Sequence, residues 1–152
     1  MFKVHRLKCW PEYFAALKTK QKTFEFRFND RDYHVGDVLE IYEWNPDTQQ
    51  ATGNELVRIV SHITQNEKLG VPKDYVIMSL HELSDEGKLA YSANKLAEEL
   101  MNEPGIVSVG AARPNKIIVY IHNNKSKENI PTTFNNFIVE TIKTGKAVLA
   151  EV

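Results

Sequence analysis

Besides Thr23 and Asp30, five polar side chains fall within ten residues in the stretch Lys22-Thr23-Phe24-Glu25-Phe26-Arg27-Phe28-Asn29-Asp30-Arg31. Three are cations able to pair with an anion, one is a carboxylate able to accept hydrogen bonds or move a proton, and one is an amide that does both donor and acceptor work. Charged and apolar residues alternate through Phe28, which is the period of a β-strand. With Phe24, Phe26 and Phe28 turned to a core, Thr23, Glu25 and Arg27 stand together on the opposite face. Glu25 and Arg27 then either pair with each other or stay open to a ligand. Asp30 reads as a turn-former whose carboxylate bonds nearby amides.

Other reactive side chains are more scattered. Cys9, the single cysteine, has no partner for a disulfide or a thiolate metal cluster and no adjacent base, so it reads as a small buried residue. His5 sits in a short strand, where a hydrogen-bonded structural histidine is expected. His34, His62, His81 and His122 lack metal-ligand spacing, and neither zinc nor any cofactor is expected. No glycine-rich phosphate loop and no nucleophile elbow occurs, which excludes the usual signatures of nucleotide hydrolases and esterases.

The elements that must position these groups follow from pattern and punctuation. Phe2 to Leu7 predicts a strand. Pro11 suits the first turn of a short helix through Leu17, with Tyr13, Phe14 and Leu17 at helical spacing. Further strands are expected at Val38 to Trp44, Glu55 to Ile63 and Tyr75 to Leu80, with Val35-Gly36-Asp37 as a turn. A helix inserted among several strands implies a small, curled, partly closed barrel over residues 1–83. After Leu83 the character changes. Ser84 can cap a helix running to Met101, Pro104-Gly105 stops it, and strands follow at Ile106 to Val109, Lys116 to Ile121 and Phe137 to Ile142. A polar segment around Asn123 to Asn129 predicts a short helix. Residues 84–152 form a small α+β unit, either independent or packed permanently on the first, because about seventy residues make a marginal core.

With 152 residues and 42% hydrophobic content the chain can bury a real core, which excludes disorder as its main state. The formal net charge of −1 neither demands nor excludes a polyanionic partner. From Lys3 to Arg31 there are eight basic and three acidic residues, and from Asp32 to Leu83 three basic and nine acidic. This gives either a basic N-terminal surface or charges that intermingle on folding. Without a signal-like apolar region or an 18-residue apolar run, a soluble cytoplasmic protein with no membrane partner is expected.

Residues 1–83 resemble an uncharacterised bacterial and phage family within the ASCH superfamily, which has a PUA-like β-barrel. The resemblance rests on His5-Arg6-Leu7-Lys8, the Trp10-to-Phe14 helix start, Lys22 to Arg31, Val35-Gly36-Asp37, and Tyr75 to Ser79. Where the usual signature has a glycine ahead of its Glu-x-Arg strand, this chain has Lys20. The resemblance implies an α+β, PUA-like domain that binds RNA or a nucleotide beside the helix and signature strand. Lys8, Lys22, Arg27 and Arg31 would neutralise phosphates, Trp10, Tyr13 and Tyr33 offer faces for unpaired bases, and Glu25 and Asn29 would bond a base edge. Of the aromatic residues only Trp10 joins the expected binding set, which is Lys8, Trp10, Lys22, Glu25, Arg27, Asn29 and Arg31.

The alternative is an enzyme. A small ASCH relative is an amidohydrolase that deacetylates N4-acetylcytidine with a lysine, a threonine and a glutamate. Lys22 matches the lysine, whereas Glu25 occupies the threonine position. A carboxylate cannot replace a hydroxyl nucleophile, although Lys22 and Glu25 could move protons together. A third reading is a phage or mobile-element accessory protein whose residues 84–152 bind another protein or a second copy through strand edges.

Overall fold

A computed structural model describes residues 2–123 and 127–144. The chain divides into two compact units, one ending at Leu83 and one beginning at Ser84. The first contains β1 (Val4–Cys9), α1 (Pro11–Lys18), β2 (Phe24–Phe28), β3 (Val38–Asn45), β4 (Gln50–Thr64), a 3-10 turn at Glu67–Leu69, and β5 (Tyr75–His81). Its sheet runs β1-β3-β4-β5-β2, with β1 parallel to β3 and every other pair antiparallel.

Register shifts between Tyr42 and Trp44 and between Val60 and His62 interrupt the ladders, and such bulges increase strand twist. The sheet curls into a half-barrel whose two edges, β1 and β2, are not paired with each other. Leu7, Leu39, Ile41, Val60, Val76 and Met78 share its core with Phe14 and Leu17 of α1. A fully buried side chain of this size contributes about 1.5–3 kcal/mol. Pro11 opens α1 because its missing amide hydrogen is not needed in the first turn.

The β2 register corrects the inward placement of its phenylalanines. Glu25 pairs with Met78 and Arg27 with Val76, and directly paired residues share a face, so the two charged residues lie on the core side. Glu25 is 4% exposed, whereas Phe24, Phe26 and Phe28 are 43%, 45% and 52% exposed. Period-two alternation separates two faces without saying which is inside; here ion pairs make the charged face the buried one.

The second unit contains α2 (Asp85–Leu100), β6 (Ile106–Ala112), β7 (Lys116–Ile121), β8 (Thr133–Phe134) and β9 (Phe137–Lys143), in the sheet order β6-β7-β9-β8. Ser84 Oγ accepts from the Gly87 amide at 3.1 Å, capping α2. Leu89, Ala93, Leu96 and Leu100 recur at helical spacing and pack with Ile117, Val119, Ile121, Phe137 and Val139. Of the short helix expected around Asn123 to Asn129, positions 124–126 lie outside the described residues. No helix among the described residues is long and apolar enough to cross a membrane.

Candidate functional site

The open seam between β1 and β2 is bridged by arginine side chains. The carbonyls of Arg6 and Lys8, two residues apart on β1, point to the same edge. Arg31 Nη1 donates to Arg6 O at 2.8 Å, and Arg27 Nη2 donates to Lys8 O at 2.6 Å. Guanidinium groups thus occupy backbone acceptors that a neighbouring strand would otherwise take. Glu25 holds the arrangement: Arg27 Nε donates to its Oε2 at 2.8 Å and Lys22 Nζ to its Oε1 at 2.6 Å. Lys22 also donates to the Phe24 carbonyl and stands 4.7 Å from the Phe24 ring centre. The trio carries two positive charges and one negative. The Glu25 side chain is 5% exposed, against 18% for Lys22 and 29% for Arg27, so the anion is covered and the cations reach toward solvent.

Beside this cluster lies a cleft of about 460 Å³. Lys22, Glu25 and Arg27 line one side, while Trp10, Tyr13, Phe24 and Phe26 supply aromatic surface. The Trp10 and Tyr13 rings lie 6.5 Å apart at 27°, and both are about half exposed. Trp10 is the N-cap of α1 and makes no side-chain capping bond, so no side chain of the cap satisfies the first-turn amides. Lys8 also lines the cleft, its ammonium 4.0 Å from the Trp44 ring centre. Cys9 is at the cleft wall but buried; burial, with the Glu25 charge adding to it, pushes its thiol up to about 11, which leaves it protonated and weakly nucleophilic at neutral pH.

Lys8, Trp10, Lys22, Glu25 and Arg27 therefore come together, while Asn29 and Arg31 lie outside the lining. Asn29 Oδ1 accepts from the Tyr33 amide at 3.1 Å, shaping the turn after β2, and Arg31 ties that turn to β1. Tyr33 offers no open face: it is 5% exposed, with its ring 4.8 Å from that of His5. His5 in turn lies 2.9 Å from Asp37 Oδ2. Burial raises the Asp37 carboxyl, but hydrogen bonds from His5 and from the His34 and Lys3 amides outweigh it and hold the group below the ordinary carboxylate range. This pair organises the turn at Gly36, whose φ of 94° suits glycine.

Lys22 also lines a second, smaller cleft of about 200 Å³ with Lys20, Arg58 and His81. No motif marks Arg58, although the strand period of Leu56-Val57-Arg58-Ile59-Val60 places it on the face of Leu56 and Val60. Its guanidinium donates to Val57 O and to Leu17 O at the end of α1. Phe24 and Phe26, expected in the core, are walls of the larger cleft instead. Lys20 has φ 64°, a left-handed backbone costing a residue with a side chain about 1–2 kcal/mol. Among the described residues no group of three or more His, Cys, Asp or Glu could hold a metal ion.

Fold and site together define a β-rich α+β protein with a half-barrel whose open seam carries a cationic, aromatic-walled cleft. Residues 4–80 match the domain of unknown function DUF3850, and the chain belongs to that family. It is also similar to the "Uncharacterized 12.9 kDa protein in GpA 3'region" of Escherichia phage P2, with 41% identity over 44 residues. That stretch is 29% of this chain and 40% of the phage protein, so the chain spans less than half of that relative.

Proposed function

We propose that the seam cleft binds a nucleotide or single-stranded RNA without chemical change, and that the half-barrel is of the ASCH type with a PUA-like fold. The observation that carries the binding reading is the pairing of aromatic surface with oriented cations in one open cleft. Trp10 and Tyr13 present half-exposed rings suited to an unpaired base, and Lys22 and Arg27, held by Glu25, present charge to a phosphate. Phosphate contacts supply most of the affinity in this scheme, and stacking supplies tolerance of base identity. The ASCH kinship is supported by Lys20, whose backbone takes the left-handed conformation that glycine adopts most readily, at the position where the superfamily usually has glycine.

Fluorescence anisotropy with a mixed-sequence single-stranded RNA at low and moderate salt tests the reading. Wild type is expected to bind with a steep salt dependence, and Lys22→Ala and Arg27→Ala each to weaken binding about tenfold and flatten the slope. Equal, weak binding by all three proteins contradicts it.

The 2.6 Å contact between Lys22 and Glu25 favours one second reading, proton transfer in an amidohydrolase acting on a modified nucleoside. Both Glu25 oxygens already accept from cations, so that reaction would have to break an ion pair first. Release of cytidine from N4-acetylcytidine at high protein concentration would establish it.

A further inference from the structure

We propose that the second cleft, lined by Lys20, Lys22, Arg58 and His81, is a phosphate subsite, so that the ligand of the half-barrel is a short single-stranded oligonucleotide rather than a mononucleotide. The inference rests on the nucleotide reading of the seam cleft and extends it. Lys22 lines both clefts, which makes them neighbouring stations on one path. Their chemistry differs. The seam cleft has Trp10, Tyr13, Phe24 and Phe26 for a base, whereas no Phe, Tyr or Trp lines the second. At about 200 Å³ against about 460 Å³, the second is the smaller, yet three Lys or Arg and one Glu line it, as they do the first.

Its charge balance favours an anion. Lys20, Lys22 and Arg58 share the lining with the one carboxylate of Glu82, which Lys20 meets at 3.1 Å, and exposed His81 adds a polar edge. Arg58 spends two of its five N–H donors on the Val57 and Leu17 carbonyls, which fixes the guanidinium and leaves donors for a phosphate oxygen. The Lys20 backbone points the same way. Its φ of 64° suits glycine, yet a lysine stands there, lining the cleft with its ammonium on Glu82. A residue held against its backbone preference is explained when its side chain has work to do.

The test compares uridine 5′-monophosphate with 5′-phosphorylated triuridylate, by calorimetry at low salt, on wild type, Lys20→Gly, His81→Ala and Arg27→Ala. Lys20→Gly removes the side chain while suiting the backbone, so the variant keeps its fold, which circular dichroism checks. Wild type is expected to bind the trinucleotide about tenfold more tightly than the monophosphate, Lys20→Gly to lose most of that gain with monophosphate affinity unchanged, and His81→Ala to lose a smaller part. Arg27→Ala is expected to weaken both ligands. Equal affinities of wild type for the two ligands, or a trinucleotide gain that survives Lys20→Gly, overturn the subsite while leaving the seam cleft standing. Failure of wild type to bind either ligand overturns the subsite and the nucleotide reading together.

Discussion

The two units build their interiors from opposite materials. In the second, α2 and the sheet enclose Leu89, Leu96, Ile117, Val119, Ile121 and Val139, and Ser92 is its one buried polar residue among those described. In the first, the core-facing side of the sheet carries an aliphatic centre but also the charged Glu25, Arg27 and Arg58. Burying a carboxylate costs several kcal/mol unless cations and hydrogen bonds compensate it, and replacing such pairs with apolar residues is often neutral or stabilising. The second unit is thus organised for packing. The first gives up part of its core to hold cations at an open seam, and that expense supports the proposal that the half-barrel is the binding unit.

The largest effect that sharpens this contrast is expected from Ile117→Ala. The residue is fully buried in the apolar core, so the substitution should cost about 2–5 kcal/mol in urea unfolding of the second unit. RNA binding below the transition should stay at the wild-type level; its loss would join the two regions that the contrast separates. Glu25→Ala should cost less, about 2–3 kcal/mol, because Lys22 and Arg27 can relax toward water once their anion is gone. Unlike the core substitution, it should disorganise the cleft and reduce RNA affinity, measured on the same samples. Phe28→Ser should change stability by about 1 kcal/mol at most, since the ring is half exposed and meets Tyr75 edge to face at the surface of the sheet. A loss of about 3–5 kcal/mol, typical of a buried phenylalanine, would restore the inward register and break the contrast.

Much of this organisation was legible in the residues. Pro11, Ser84 and Pro104-Gly105 punctuate the chain where α1 starts, α2 starts and α2 has ended, because capping and backbone restriction act locally. The division after Leu83 follows the change from short alternating strands to a capped amphipathic helix. The orientation of β2 was not legible, because its sign depends on ion pairs between Glu25 and two cations, and on Arg27 reaching a carbonyl of β1 from nineteen residues away. Tyr33 escaped for a similar reason: its burial against His5 and the Asp37 turn is set by a sheet register no local pattern encodes. The convergence of Lys8, Trp10, Lys22, Glu25 and Arg27 follows the set that the ASCH resemblance implies, less Asn29 and Arg31, whereas Arg58 was hidden because one cation in an apolar run looks like a solvent-facing residue.

Photo-crosslinking to a single-stranded RNA carrying 4-thiouridine, followed by peptide mapping, tests the central claim most directly. The account predicts adducts on Trp10, Tyr13, Phe24 or Phe26 in the half-barrel, suppressed in Arg27→Ala. Adducts confined to residues after Ser84, or an unchanged pattern in Arg27→Ala, would contradict it.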